Sequence, residues 1–256
     1  MKLVTTALEW TYQAGETDVR AERLYTIAQW TEMPSGAHFV AMEEPELLAR
    51  DCERGMSNKP VLCIQVNEET QLRLFEERHV EDYFTLIQRN QAYLHEWIAV
   101  AAYEGPAETL RAYVKQRLLH FVNGEAYHLG IWYQEALVGI LDYRLNWRSR
   151  TVELGYWLDA AMQGKGIVTA ACRTMVRHAF EEHQMHKVMI SCATDNPRSR
   201  AVAERLGFLQ EGILRQADRL HDRYVDVVFY GQLKEEWHAE AEQAKADSTS
   251  KPIDEA

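Results

Sequence analysis

The sequence has no long apolar run. Its longest uninterrupted apolar stretch covers residues 97–103, whereas a helix that crosses a bilayer needs about 20 apolar residues. The apolar stretch among the first nine residues is also too short for a secretory signal. We therefore expect a cytoplasmic protein that does not insert into a membrane.

Cysteine is scarce as well. The chain of 256 residues has four cysteines, Cys52, Cys63, Cys172 and Cys192, and no two of them form a Cys-x-x-Cys pair. Cysteine-based zinc sites and disulfide frameworks both need cysteines at regular, close spacing. We therefore expect reduced thiols, with no metal site and no disulfide.

Positive charge is in deficit. The chain has 28 basic and 39 acidic residues, a net charge of -11. An acidic chain has no overall field to hold a nucleic-acid backbone or an anionic membrane surface. The charge therefore predicts neither nucleic acid nor membrane as a partner, and it favours cationic partners such as amines.

Hydrophobic periodicity predicts a globular α/β protein. Residues 55–60 are small, polar and end in proline, as linkers do. We therefore divide the chain into a segment 1–60, a domain 61–237 and a polar tail 238–256 that we expect to be disordered. Helical spacing predicts helices over residues 79–98, 108–122, 165–182 and 197–206. Strand signals cover residues 61–66, 71–75, 126–132, 136–145, 150–158, 187–193, 208–216 and 223–233. This order predicts a mixed sheet with helices on its faces.

The segment from Val152 to Val168 has the most informative pattern. An apolar strand runs into a turn that contains Gly164 and Gly166 and then opens a helix. Backbone N–H groups of such a turn, together with those of the helix N-terminus, form a site for phosphate. Glycine suits the turn because it lacks a Cβ and adopts positive φ. Taken alone, however, the pattern more often marks an ordinary strand–turn–helix connection.

A second segment, residues 195–215, adds further residues that match a known family when taken together with this pattern. The matching residues, in chain order, are Gln163, Gly166, Asn196, Ser199, Leu206, Gly207 and Phe208. In this combination they resemble the GNAT N-acetyltransferases and, more narrowly, the RimJ/RimL type that acetylates protein N-termini. The likeness covers about residues 68–236. It implies the GNAT fold, with a mixed, mostly antiparallel sheet and helices on both faces, and acetyl-CoA as co-substrate.

The resemblance implies which residues bind acetyl-CoA. The strand Tyr156-Trp157-Leu158 would present main-chain groups to the pantetheine arm, and Asn196 would face pantetheine near the thioester. Backbone N–H groups would hold the pyrophosphate along Gln163, Gly164, Lys165, Gly166, Ile167, Val168 and Thr169. Val168 stands where most relatives have Gly or Ala, so we expect a slightly wider loop. The charges of Lys165, Arg198 and Arg200 are explained equally well as phosphate contacts and as solvated surface groups.

The resemblance also implies which groups move protons. Ser199 stands where the RimL type has the serine that donates a proton to the departing thiolate, and Asp218 stands where it has an acidic base. Relatives have Glu in place of Asp218, so we expect the shorter side chain to act through a water. Glu153, on the strand nearest the thioester, is the alternative base. We interpret Cys172 and Cys192 as core residues, because amine and thioester react directly once aligned.

The expected acceptor is a primary amine, above all the N-terminal α-amine of a protein. An α-amine has a pKa of about 7.7–8.0 and a lysine amine one of about 10.4, so the α-amine suits a site that relies on an aspartate. Polyamine or aminoglycoside acetylation and non-catalytic acyl-CoA binding are the alternatives. Tyr93, Trp97 and Trp147 are interpreted first as core residues and second as acceptor-pocket residues. The oligomeric state stays open, a dimer included.

A separate resemblance lies in residues 20–55. The run from Arg23 to Phe39 and the stretch from Glu43 to Asp51 resemble the C-terminal end of epoxide-hydrolase-like α/β-hydrolases. His38 stands where those enzymes have the catalytic histidine. No nucleophile elbow precedes it, and the triad needs nucleophile, base and orienting group together. We therefore expect residues 1–60 to be a hydrolase-like remnant and linker rather than an independent domain, and His38 to have no catalytic role.

Overall fold

A computed structural model describes residues 62–99 and 103–237, together with two short strands nearer the N-terminus. The chain forms two compact units, Met1–Ile64 and Gln65–Ala256. In the first unit, β1 (Lys2–Val4) pairs antiparallel with β2 (Trp30–Glu32). His38, Cys52, the hydrolase-like segment apart from β2, the expected boundary at residue 60 and the tail 238–256 lie outside the described residues. The hypotheses about them therefore stay predictions.

The main sheet has eight strands. They are β3 (Cys63–Gln65), β4 (Thr70–Leu74), β5 (Ala126–Tyr133), β6 (Ala136–Asn146), β7 (Thr151–Leu158), β8 (Lys187–Ala193), β9 (Leu209–Leu220) and β10 (Arg223–Leu233). The helices that accompany them are α1 (Val80–Trp97), α2 (Ala107–Val122), α3 (Ile167–Glu181) and α4 (Pro197–Arg205). Each of these elements corresponds to a predicted one. No helix among the described residues is long and apolar enough to span a membrane.

The strand order in the sheet is β3-β4-β5-β6-β7-β8-β10-β9. Strands β4 to β7 pair antiparallel in succession, and β10 pairs antiparallel with both β8 and β9. Only β7 and β8 have a parallel ladder among the pairings described, and α3 forms the crossover between them. A parallel pair needs such a crossover because the chain must return to the same end of the sheet. The predicted mixed, mostly antiparallel sheet is confirmed.

One strand is longer than its pattern indicates. The apolar alternation predicts that β9 ends at residue 216, but β9 continues to Leu220. Gln216 has a φ of +50°, and the register with β10 shifts between Val225 and Val227. The irregularity interrupts the alternation, and the polar residues that follow give no strand signal. Pairing with β10 therefore extends β9 beyond its predicted end.

Helices cover both faces of the sheet. On one face, α1 and α2 pack against side chains of β5, β6 and β7 such as Trp132, Ile140 and Trp157. Successive strand residues point to opposite faces, so Tyr156 points to the other face, where it contacts α4 at Ser199. The sheet thus separates two sets of helices, and β7 presents side chains to both.

The first helix shows why these elements form. Val80, Tyr83, Leu86, Ile87 and Leu94 are all buried, and their spacing of three, four and seven residues places them on one helical face. The segment before α1 begins with a capping box, in which Glu76 N donates to His79 Nδ1 at 3.2 Å. The apolar face directs α1 onto the sheet, and the capping box starts the 3-10 turn Glu77–His79 that leads into it.

Candidate active site

The candidate site lies where β7 and β8 part. The two strands pair only between Thr151–Leu154 and Lys187–Ile190. Beyond these residues β7 continues to Leu158 along β6, and β8 continues to Ala193 along β10. The strands therefore diverge, and backbone groups near their ends face an opening. A cavity of about 1000 Å³ occupies this opening, at the upper end of the range for small-molecule sites.

The turn between β7 and α3 contributes backbone donors to this cavity. Gly164 and Gly166 have φ values of +79° and +76°, a left-handed conformation that strains residues with a Cβ. A Cβ at either glycine would meet no heavy atom within 4 Å, so the space in front of the turn is open. Gly166 is the N-cap of α3 and has no side chain to cap its first N–H groups. The start of α3 therefore favours an anion.

Two residues of α1 hold the approach to this turn. Arg89 Nη2 lies 2.5 Å from Asp159 Oδ2, and Ala160 N donates to Asn90 Oδ1 at 2.9 Å. Asp159 also accepts a hydrogen bond from Ala161 N at 3.2 Å. Neither Arg89 nor Asn90 was predicted as a site residue from the sequence. A signal was present, because Asn90 lies on the apolar face of α1, where a buried amide needs a partner.

Asn196 and Ser199 lie together at the start of α4. Asn196 is the N-cap, and its Oδ1 accepts a hydrogen bond from Ser199 N at 3.1 Å. The Tyr156 hydroxyl donates to the carbonyl oxygen of Ser199 at 3.1 Å and lies 3.2 Å from Ser199 Oγ. Burial raises the pKa of Tyr156 well above its ordinary value. Tyr156 is therefore a neutral phenol that holds the serine in place.

The two candidate bases differ in their surroundings. Asp218 is exposed, borders the cavity and accepts a hydrogen bond from Arg219 N at 2.7 Å. Glu153 is not among the residues that line the cavity. Its Oε1 accepts a hydrogen bond from Ser191 Oγ at 2.7 Å and lies 3.3 Å from Arg144 Nη2. Asp218 is thus the carboxylate that a molecule in the cavity can reach.

A carboxylate that contacts a buried histidine also borders the cavity. Asp142 Oδ1 lies 2.6 Å from His128 Nδ1. Burial opposes the ionisation of Asp142, but His128 and then Arg117 and Arg144 outweigh it and hold the pKa of Asp142 below its ordinary value. Asp142 is therefore a second negative charge at the cavity wall. Asp142 lies on β6, and the sequence did not predict it as a site residue.

Most of the predicted site residues border one cavity. These are Tyr156, Trp157, Leu158, Gln163, Gly164, Gly166, Ile167, Val168, Thr169, Asn196, Ser199 and Asp218. Tyr93 and Trp97 border it too. The fold thus brings residues from β7, the following turn, α4 and β9 to one opening, although they lie far apart in the chain.

Two candidate residues lie elsewhere. Trp147 does not line the cavity; it is 45% exposed and donates a hydrogen bond to Gly124 O at 2.6 Å. The first interpretation of Trp147, as a core residue, is therefore wrong, because the β6–β7 turn exposes it; its role as an acceptor-pocket residue stays a prediction that this cavity does not support. Lys165 does not line the cavity either. Its Nζ lies 3.7 Å from Met162 Sδ and 5.7 Å from the centre of the Tyr133 ring.

Comparison with known proteins identifies a matching family. Residues 70–209 match the acetyltransferase (GNAT) domain. The chain is 36% identical over 178 residues to the putative ribosomal N-acetyltransferase YdaF of Bacillus subtilis (strain 168), a match that covers 69% of this chain and 97% of the relative. It is 32% identical over 171 residues to the ribosomal-protein-serine acetyltransferase of Escherichia coli (strain K12), covering 66% and 96%.

A solved structure has a similar fold and a bound coenzyme. It is RimL, a ribosomal L7/L12 alpha-N-protein acetyltransferase in complex with coenzyme A. The match has a TM-score of 0.65 and 29% sequence identity, and it covers 67% of this chain and 98% of the other. The similarity in fold therefore extends to a protein that binds coenzyme A.

Proposed function

The chain belongs to the GNAT acetyltransferase family and is an acetyl-CoA-dependent N-acetyltransferase, and from this premise we propose that its acceptor is the N-terminal α-amine of a protein. The observation that carries the proposal is the similarity to two ribosomal acetyltransferases along nearly their whole length. The exposed carboxylate of Asp218 at the cavity wall supports it, because an α-amine must give up a proton before it attacks.

Acetyl-CoA supplies the activated acetyl group, and the residues of the cavity fit it. Tyr156, Trp157 and Leu158 pair with β6 but lie beyond the ladder with β8, so their backbone groups on that side would pair with the amides of the pantetheine arm. The N–H groups from Gln163 to Thr169 would hold the pyrophosphate at the uncapped start of α3, although the N–H of Gln163 also donates to Ala160 O at 3.4 Å. The Asn196 oxygen caps α4, which leaves its amide nitrogen as a donor for pantetheine.

Asp218 is the base in this proposal. It borders the cavity and is exposed, so a water can link its carboxylate to the amine. An acceptor that enters as an ammonium loses two protons: one leaves through the base to solvent, and the other replaces the proton that the donor gives to the departing thiolate. An α-amine releases the first of these more readily than a lysine does. An exposed aspartate therefore suits an α-amine.

Ser199 is the proton donor. Its Oγ lies beside the Tyr156 hydroxyl at 3.2 Å, and its position at the start of α4 is held by the Asn196 cap. A hydroxyl in this place protonates the sulfur as it leaves. Tyr156 is a positioning residue, because its phenol contacts the serine.

An acceptor panel tests the proposed function. Thiol release from acetyl-CoA and product mass are measured with a serine-initiated peptide that contains a lysine, with the same peptide blocked at its α-amine, with spermidine and with an aminoglycoside. We expect acetylation of the free α-amine alone, and a loss of at least about tenfold in turnover for Ser199→Ala.

Two outcomes would contradict the proposal. Acetylation of spermidine or the aminoglycoside in preference to the peptide would assign a small-amine acceptor. Coenzyme A binding without thiol release for any amine would leave a non-catalytic binding module.

A further inference from the structure

Two histidines and a glutamate meet beside the β9–β10 hairpin. His95 lies in the last turn of α1, Glu104 lies ahead of α2, and His221 lies in the turn between β9 and β10. One ligand atom from each side chain lies within 4.8 Å of the other two. The proposed transfer reaction uses none of the three. We propose that this cluster, the His95–Glu104–His221 site, binds a zinc ion.

The hydrogen bond of His221 orients the cluster for a metal. His221 Nε2 lies 2.8 Å from the carbonyl oxygen of His95 and donates to it, because a carbonyl oxygen only accepts. Nδ1 is the nitrogen left for a metal, and it lies 3.5 Å from Glu104 Oε1. A zinc ion bound there takes the place of a proton between Nδ1 and the carboxylate. Metal-binding histidines commonly donate their second nitrogen to a backbone carbonyl in this way.

The second histidine is already beside the first. The rings of His95 and His221 stack with centroids 3.7 Å apart and an angle of 7° between their planes. Ligand atoms around tetrahedral zinc lie about 3.3 Å apart, given bonds of about 2.0 Å. Because the two rings lie in nearly parallel planes, one ion cannot lie in both. His95 and Glu104 are exposed, so the His95 ring can rotate to aim a nitrogen at an ion on His221, and the Glu104 carboxylate can follow.

The ligand set favours zinc over other common ions. Two imidazoles and one carboxylate suit a borderline metal such as Zn²⁺, whereas Mg²⁺ and Ca²⁺ take oxygen ligands. Three protein ligands leave one coordination position for water. The scarcity of cysteine predicted no metal, but this set uses no cysteine and its members are spread over residues 95–221, so sequence spacing could not indicate it.

The site ties together three segments that border the cavity. Leu94, Tyr103 and Leu220, each next to or near a ligand, line the cavity. An ion at the site would therefore restrain the end of α1, the segment before α2 and the hairpin that carries Asp218. This consequence rests on the proposed function: a restrained cavity rim adapts less readily to a peptide, so we expect the ion to raise the KM for the acceptor and to leave the KM for acetyl-CoA unchanged.

Direct titration tests the site without any substrate. Zinc binding to the full chain is measured by calorimetry, with His221→Ala and with Glu104→Gln, a conservative change at an exposed residue. We expect one zinc equivalent to be lost or its Kd to rise at least about tenfold in both variants. His120→Ala is the matched control, because His120 also pairs with a glutamate, Glu125, at 2.6 Å but has no second histidine in the pair. Absence of zinc binding, or equal binding by all four proteins, would overturn the proposal.

Peptide kinetics with and without zinc test the consequence. We expect zinc to raise the acceptor KM of the wild-type protein and to have no such effect on His221→Ala. An unchanged acceptor KM despite zinc binding would overturn the proposed restraint of the segments that border the cavity. A protein that binds zinc but acetylates no peptide would overturn only the proposed function.

Discussion

At the scale of single residues, the surroundings of two carboxylates separate their roles. Glu153 is engaged by Ser191 and Arg144 and lies outside the cavity lining. Asp218 borders the cavity and its known partner is a neighbouring backbone N–H. A carboxylate whose oxygens are occupied by a hydroxyl and a guanidinium is less accessible to the amine of a bound acceptor than one open to water. The proposal that Asp218 is the base therefore depends on its exposure to the cavity, and not only on its position in the sequence.

Asp218→Asn should lower kcat about 100-fold with the peptide acceptor, because the amide cannot take the proton. Glu153→Gln should lower kcat less than about tenfold. Steady-state kinetics across pH measure both effects. Asp222→Asn, an exposed aspartate in the same hairpin, is the control and should retain the parent kcat. A large loss for Glu153→Gln with little loss for Asp218→Asn would exchange the two roles.

At the scale of elements, β7, its turn and α3 form one binding unit. The opening beside β7 exposes backbone groups, and the glycine turn starts a helix without a side-chain cap. Both features leave polar groups unsatisfied within the protein, and a bound anionic ligand satisfies them. The unit binds through backbone groups. Coenzyme binding therefore depends more on the backbone conformation of the unit than on the identity of its side chains.

Gly166→Ala tests this unit. A Cβ at a φ of +76° costs about 1–2 kcal/mol, and the methyl group projects into the open space where the phosphate is expected. We expect a lower Tm and a Kd for coenzyme A raised roughly tenfold. Gly212→Ala is the control, because a Cβ there also meets nothing within 4 Å while its φ is ordinary. Equal coenzyme A affinity in both variants would contradict the proposed role of the turn.

At the scale of the whole molecule, buried histidines make stability depend on pH. His183 lies between Tyr127 and Tyr143, and burial followed by the charge of His178 lowers its pKa to about 4. Burial followed by the charge of Arg78 likewise lowers the pKa of His79 to about 4 from 6.5. Unfolding lets both histidines bind protons between these values. Their contribution is complete above pH 6.5 and is lost as pH falls toward 4.

His79→Gln should weaken this pH dependence. Glutamine can still accept the hydrogen bond from Glu76 N in the capping box, but it does not titrate. We expect Tm to fall less steeply between pH 6.5 and 4 than in the wild-type protein. Thermal unfolding at several pH values measures the slope, with His186→Gln, a change at an exposed histidine, as the control. The interpretation fails if both variants keep the wild-type slope.

The elements of the fold were predictable from local pattern. Apolar residues three and four apart in α1 and the apolar strand before Gly164 are local signals, and the observed helices and strands follow them closely. The predicted coenzyme site is local in the same way, because one strand, one turn and one helix start supply most of it. The end of β9 was not predictable, because pairing with β10 continues through an irregular, polar stretch.

By itself, then, the sequence determined the order of elements and the strand–turn–helix unit, because periodicity and glycine act within a few residues. Tertiary structure alone decided which distant side chains share a site. It brought Tyr156 to Ser199, Asn90 to the turn after β7 and His95 to His221, and it carried Trp147 away from the cavity. Such contacts depend on sheet order and on the packing of helices against each face, and no spacing along a single chain encodes them.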